Sequence, residues 1–178
     1  MLFIATATQW NENYAVTAAH TPFVNGIAHR CSTGCDLVFI RRKASGPIPQ
    51  WRDPVPGEEV VAVGYSGALL MPVQGVGQAR STLVKREDEG SSTLYATHDA
   101  PLAAGMSGGP LYGAQDKAVL GINIGLGLTF TWLKDLGDPL SIGHAKRNAY
   151  YIATRDVQAE WDIYQSTKQD DTLLSASN

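Results

Sequence analysis

The sequence predicts an all-β fold of short antiparallel strands followed by one C-terminal α-helix. Three observations carry this. Short runs of β-forming residues recur at fairly regular spacing, each bounded by Gly, Pro, Asp or Ser, the mark of a small barrel or sandwich. Only near the C-terminus does the period change, where Val157, Trp161 and Tyr164 stand four and three residues apart and give a helix one apolar face. Finally, 178 residues with 44% apolar and only 17% charged residues can bury one substantial core, or two small ones sharing an interface.

In chain order, residues 3–9 and 14–18 flank the turn residues Asn11, Glu12 and Asn13 and read as a hairpin. A brief strand over 27–30 and a firmer one over 37–41 follow. Residues 44–57 carry four of the nine prolines and no strand or helix period, so they read as a surface linker between two halves. Beyond it, strands are predicted over 58–65, 73–84, 93–98, 109–112, 117–125 and 148–153. Thr154 and Asp156 offer caps for a helix over 154–165. The predicted organisation is an N-terminal unit over 1–50, a larger unit over 51–165, and a flexible polar tail over 166–178.

Composition excludes several classes. A net charge of -3 with no basic stripe gives nucleic acid no footprint. No apolar stretch reaches the roughly 20 residues of a spanning helix, so no membrane partner is expected. Residues 1–6 lack a positive charge ahead of their apolar residues, so they do not read as a secretory signal. The expectation is a cytoplasmic protein, or one released from a larger precursor. Cys31 and Cys35 are the only cysteines, without a second pair to complete a zinc site. Free thiols are the first reading, a tight local disulfide the second; no metal and no cofactor are expected.

The chemistry-bearing stretch is Gly105-Met106-Ser107-Gly108-Gly109-Pro110. Glycines around a serine leave room for a reacting carbonyl, which suits a nucleophile. Serine needs a base and a group to orient that base, and two upstream stretches supply candidates: Thr17-Ala18-Ala19-His20 and Asp36-Leu37-Val38-Phe39-Ile40. Taken singly, each residue has an ordinary explanation: a turn serine, a surface histidine, a charged guard at a strand edge.

Together, in the order His, Asp, Ser, they resemble the trypsin/chymotrypsin-like serine peptidases. The stretch from Pro56 to Tyr65 resembles the strand opening that family's second barrel, and Val119 to Asn123 resembles the strand lining its specificity pocket. Ala149 to Trp161 resembles its last strand and helix. The resemblance covers roughly residues 3–165 and implies two antiparallel β-barrels of the chymotrypsin type. Ser107 would be the nucleophile, His20 the general base and Asp36 its orienting partner. The N–H groups of Gly105 and Ser107 would form the oxyanion hole. Pocket walls would come from Pro101, Leu102, Ala103 and Ala104 and from Ile122, Asn123, Ile124 and Gly125. His29, His98 and His144 lack such context and read as solvated or hydrogen-bonded histidines, with His98 placed on the strand leading toward the nucleophile loop.

The departures are informative. Only 19 residues precede His20 and 15 separate it from Asp36, so the first barrel must be reduced or open. Its edges would need cover, from another chain or from a missing N-terminal segment. Met106 stands where digestive relatives carry an aspartate that pairs with a freed N-terminus, so activation by that ion pair is unavailable. No carboxylate stands at the pocket base, which disfavours Lys or Arg substrates and favours a small or medium apolar side chain. The expected function is a single-chain endopeptidase of viral, phage or bacterial HtrA-like type, acting on a peptide or protein substrate, with a processing role. The alternative is a protease-fold structural or binding module, of capsid type, that cleaves itself once or not at all. The oligomeric state is open.

Overall fold

We describe residues 5–86, 92–126, 130–132 and 149–176 of a computed structural model, with the side chains of 130–132 and 170–176 left aside. The strands are β1 (Thr8–Gln9), β2 (Tyr14–Thr17), β3 (Ile27–Arg30), β4 (Val38–Arg41), β5 (Glu59–Ser66), β6 (Met71–Arg86), β7 (Tyr95–His98), β8 (Pro110–Gly113), β9 (Val119–Leu126), β10 (Phe130–Trp132) and β11 (Ala149–Ala153), followed by α1 (Thr154–Ala176).

The first half is an open four-stranded sheet, ordered β1-β2-β4-β3. The second closes on itself. Its order runs β6-β5-β8-β9-β11-β7, and β7 pairs back to β6, so six strands form a barrel with β10 added beside β6. A 16-residue strand makes this closure possible. The first half of β6 pairs with β5 from Met71 to Gln78, and its second half pairs with β7, with a register shift between Ala79 and Leu83 where the strand bends. The all-β class, the reduced first unit and the C-terminal helix match the expectation; the first unit is an open sheet.

The burial pattern along β5 alternates as its sequence Glu-Val-Val-Ala-Val-Gly-Tyr-Ser suggests, with Val60 and Ala62 inside the barrel. By contrast, β9 is buried on both faces over its first six residues. Leu120, the extra residue where the β8–β9 register shifts, joins the barrel core around Leu111, Met106 and Tyr151. Ile122 and Ile124 enter a second core with Val16 and Phe39 of the open sheet and Leu37 just before β4. That second core glues the two halves together.

The open sheet is covered from within the chain. Trp161 of α1 lies 5.2 Å from Phe39, 4.9 Å from Tyr14 and 6.3 Å from Trp10, ring centre to ring centre. Glu160 accepts hydrogen bonds from Ser32 N–H and Oγ and meets His29 Nε2 at 3.0 Å, fastening the helix to β3 and the loop after it. Asp53 accepts the N–H of Arg155 at 2.9 Å, so a linker residue caps the helix in place of the two local candidates.

Two expectations are corrected. The helix continues to Ala176, through most of the segment expected to be a loose tail. Cys31 and Cys35, read first as thiols, form a disulfide that closes the short turn before Asp36. No helix among the described residues is long and apolar enough to cross a membrane.

Candidate active site

Strand pairing sets the site. In the register Thr17↔Val38, β2 ends and β4 begins at the same end of the open sheet. His20, three residues past Thr17, and Asp36, two before Val38, therefore meet. Asp36 holds His20 with both oxygens: Oδ1 accepts the backbone N–H at 2.8 Å, and Oδ2 lies 2.5 Å from the ring Nδ1. This directs Nε2 of the imidazole away from the carboxylate.

The Asp36 side chain is only 4% exposed, whereas that of His20 is 48% exposed. Burial presses the Asp36 carboxyl upward. Hydrogen bonds from the His20 ring and backbone, and the charges of His20 and Arg86, outweigh it and hold the group below the ordinary carboxylate range. Arg86 Nη1 reaches the same Oδ2 at 3.2 Å. Tyr95 Oη accepts the backbone N–H of Asp36 at 3.1 Å, tying this corner to β7.

Ser107 lies in the loop between β7 and β8 and faces a cleft of about 480 Å³. Its walls include His20, Ser107, Leu102, Ala103, Ala104 and Ile124. Gly125, Leu126, Arg86 and Tyr150 complete them. In this structure the Ser107 hydroxyl donates to the carbonyl oxygen of Ile124 at 2.8 Å. Gly105 and Gly108 on either side have φ of +97° and +81°, a left-handed backbone that other residues resist.

The loop is held from several directions. Met106 is buried, and its Sδ accepts the N–H of Ala103 at 3.1 Å, while Met106 N–H donates to Ala103 O at the same distance. The N–H of Gly67, in the turn after β5, donates to Ala104 O at 2.9 Å. Among the described residues neither Gly105 N–H nor Ser107 N–H has an intramolecular acceptor.

A buried polar chain supports the loop from below. Ala100 N–H donates to His98 Nδ1 at 3.1 Å, so the ring proton sits on Nε2 and is donated to Asn123 Oδ1 at 3.0 Å. Asn123 Nδ2 then donates to the carbonyls of Gly109 and Pro110, at 3.1 and 3.0 Å. Desolvation lowers the His98 pKa to about 4, so the ring is neutral at ordinary pH.

The structure thus brings His20 and Ser107 to one cleft, with the buried Asp36 bonded to His20, and places Leu102, Ala103, Ala104, Ile124 and Gly125 in the walls. Pro101, Ile122 and Asn123, expected there, do not line it. Ile122 and Asn123 are fully buried, one in the inter-unit core and one in the polar chain. His98 also lies beneath the loop and does not face the cleft. His144 is outside the described residues. Sequence reasoning missed Arg86, Leu126 and Tyr150, which long-range pairing carries to the rim.

Comparison with known proteins agrees with this architecture. A family model described as the trypsin-like peptidase domain matches residues 5–122. The chain therefore belongs to the trypsin-like peptidase family and is a serine endopeptidase of that class. Among solved structures, the inactive form of a mutant Rv3671c from M. tuberculosis H37Rv is 16% identical, with a TM-score of 0.67, over 92% of this chain and 82% of that one. The HtrA-type protease AlgW with a decapeptide is 16% identical, with a TM-score of 0.66, over 93% of this chain and 52% of that one. The MamO protease domain from Magnetospirillum magneticum is 17% identical, with a TM-score of 0.60, over 88% and 87%. At these identities the structures speak for the fold. No curated protein sequence matches the chain.

Proposed function

We propose that the chain cleaves peptide bonds through an acyl-enzyme, with Ser107 as nucleophile, His20 as general base and acid, and Asp36 as the group that orients His20. The observation that carries this reading is that His20 is gripped by Asp36 through its backbone and Nδ1 while sharing one cleft with Ser107. Ser107 Oγ turns from Ile124 O and attacks the carbonyl carbon as its proton passes to His20 Nε2. The negative charge that forms on the carbonyl oxygen is met by the N–H groups of Gly105 and Ser107. Collapse breaks the C–N bond, the amine leaves with the proton from His20, and water activated by the same base releases the acid.

The walls of the cleft are mostly apolar, and the only charged side chain contributed by a described residue besides the titratable His20 is Arg86. A cationic substrate side chain would find no carboxylate among the described residues that line the cleft. We therefore assign a small or medium apolar side chain to the residue before the cut. A peptide library checks this, and dominant cleavage after Lys or Arg would refute it.

The role we infer is processing of a precursor or of one dedicated partner. No described residue of α1 lines the cleft, and Trp161, Tyr164 and Lys168 lie against the open sheet. Turnover of an added peptide tests the enzyme reading: sustained hydrolysis is expected, and a single covalent burst would favour the module.

A further inference from the structure

Every polar group of Thr6 is hydrogen-bonded, and two of them, the N–H and the hydroxyl, reach the loop that carries Ser107. The N–H donates to Ser107 O at 3.2 Å, and the hydroxyl donates to Gly105 O at 2.8 Å. The same hydroxyl accepts the N–H of Tyr65 at 2.9 Å, and its carbonyl accepts the Thr17 hydroxyl at 2.7 Å. A Cβ placed on Gly108 would lie 2.2 Å from both Thr6 O and Thr17 Oγ1, so the segment and the loop are in direct contact.

We propose that Thr6 is a positioning residue for the oxyanion hole, its hydroxyl a bridge that locks the Gly105 carbonyl to the backbone of β5. This rests on the reading of Ser107 as nucleophile. No peptide bond in the described chain is cis, and in a trans peptide the C=O and N–H point in opposite directions. Gly67 N–H fixes the Ala104 carbonyl, which turns the Gly105 N–H away from the β5–β6 turn. Thr6 Oγ1 fixes the next carbonyl, that of Gly105, which turns Met106 N–H the other way, onto Ala103 O. With φ at +97°, Gly105 has the freedom to flip either peptide, and these two external bonds remove it. Thr8 adds a third hold one step on, its hydroxyl donating to Gly108 O at 2.8 Å.

The chain lacks a carboxylate at position 106 to anchor this loop by charge, and the Thr6 bridge supplies a neutral anchor of the same kind. A group that acts only by aiming an oxyanion donor affects the transition state and leaves ground-state binding alone. The expected loss is smaller than the roughly 100- to 1,000-fold of deleting a donor outright.

The experiment compares Thr6→Val and Thr6→Ser in the full chain on a peptide it hydrolyses, with Ser107→Ala alongside. Thr6→Val should lower kcat roughly 10- to 100-fold with KM within about twofold. Thr6→Ser, which keeps the hydroxyl, should restore most of kcat. A Thr6→Val enzyme with unchanged kcat would overturn the proposal, as would a Thr6→Ser enzyme as impaired as Thr6→Val. Should Thr6→Val fail to fold, Thr6→Ser decides by itself: near-normal kcat supports the bridge and a large loss refutes it. Hydrolysis that survives Ser107→Ala would instead remove the nucleophile assignment on which the proposal rests, so the two failures are told apart.

Discussion

Ser107 Oγ donates its hydrogen bond to Ile124 O at 2.8 Å, so the proposed nucleophile is turned onto a backbone carbonyl of β9. Such a bond contributes about 1 kcal/mol, so rotation toward His20 is a modest barrier. The structure of a phosphonylated enzyme should show Oγ bonded to the reagent and drawn off Ile124 O. An adduct with Oγ still within 3.5 Å of that carbonyl would contradict the proposed trajectory.

In the proposed mechanism Asp36 orients His20, whose backbone N–H and ring Nδ1 it holds. Asp36→Asn keeps the shape but not the preference for a protonated Nδ1 on His20, and kcat should fall by about 10⁴-fold. Steady-state kinetics at neutral pH check this. A loss under tenfold would mean that His20 is held in its working tautomer by something else.

His98 predicts acid sensitivity. Its folded-state pKa of about 4 lies below the ordinary 6.5, so the unfolded chain takes up the proton first. The contribution of the neutral ring is complete above pH 6.5 and is lost as pH falls toward 4, by up to about 3 kcal/mol. The lowered Asp36 carboxyl adds a loss of the same sign as pH falls through its own folded-state value. Denaturant unfolding across this range should show the slope, and His98→Gln should remove the part due to the imidazole. An unchanged slope in the variant would contradict the assignment.

Gly64 lets β5 pass close beneath the loop that carries Ser107. A Cβ there would lie 2.7 Å from Met106 Cα and 2.9 Å from Met106 Cβ, backbone and stem that have little room to give. Gly64→Ala should cost about 1 to 3 kcal/mol of stability and lower kcat by displacing the loop. Thermal unfolding together with kcat checks it; a variant normal in both would show that the loop yields freely.

The parts of this site that were legible in the sequence are those written locally. His20, Asp36 and Ser107 sit in short motifs whose order is informative, and the trimmed first unit followed from the spacing between them. Thr6 and Arg86 carry no such local mark, because their partners lie 99 and 50 residues away and are joined only by the fold. Asn123 was misplaced for a definite reason. Because β9 is buried on both faces, the alternation of polar and apolar residues that assigns faces elsewhere is silent there. The helix outruns its predicted end because the apolar stripe stops at Tyr164, and residues 166–169 beyond it are exposed and need none. The spacing of Cys31 and Cys35 could not choose between thiols and a bond, whereas the turn that brings their Cα atoms to 5.4 Å does.

Labelling with a serine-directed fluorophosphonate tests the central claim most directly. The account predicts that the unmodified chain is labelled at Ser107, that Ser107→Ala is not labelled, and that His20→Ala is labelled far more slowly. Labelling that survives Ser107→Ala would contradict it.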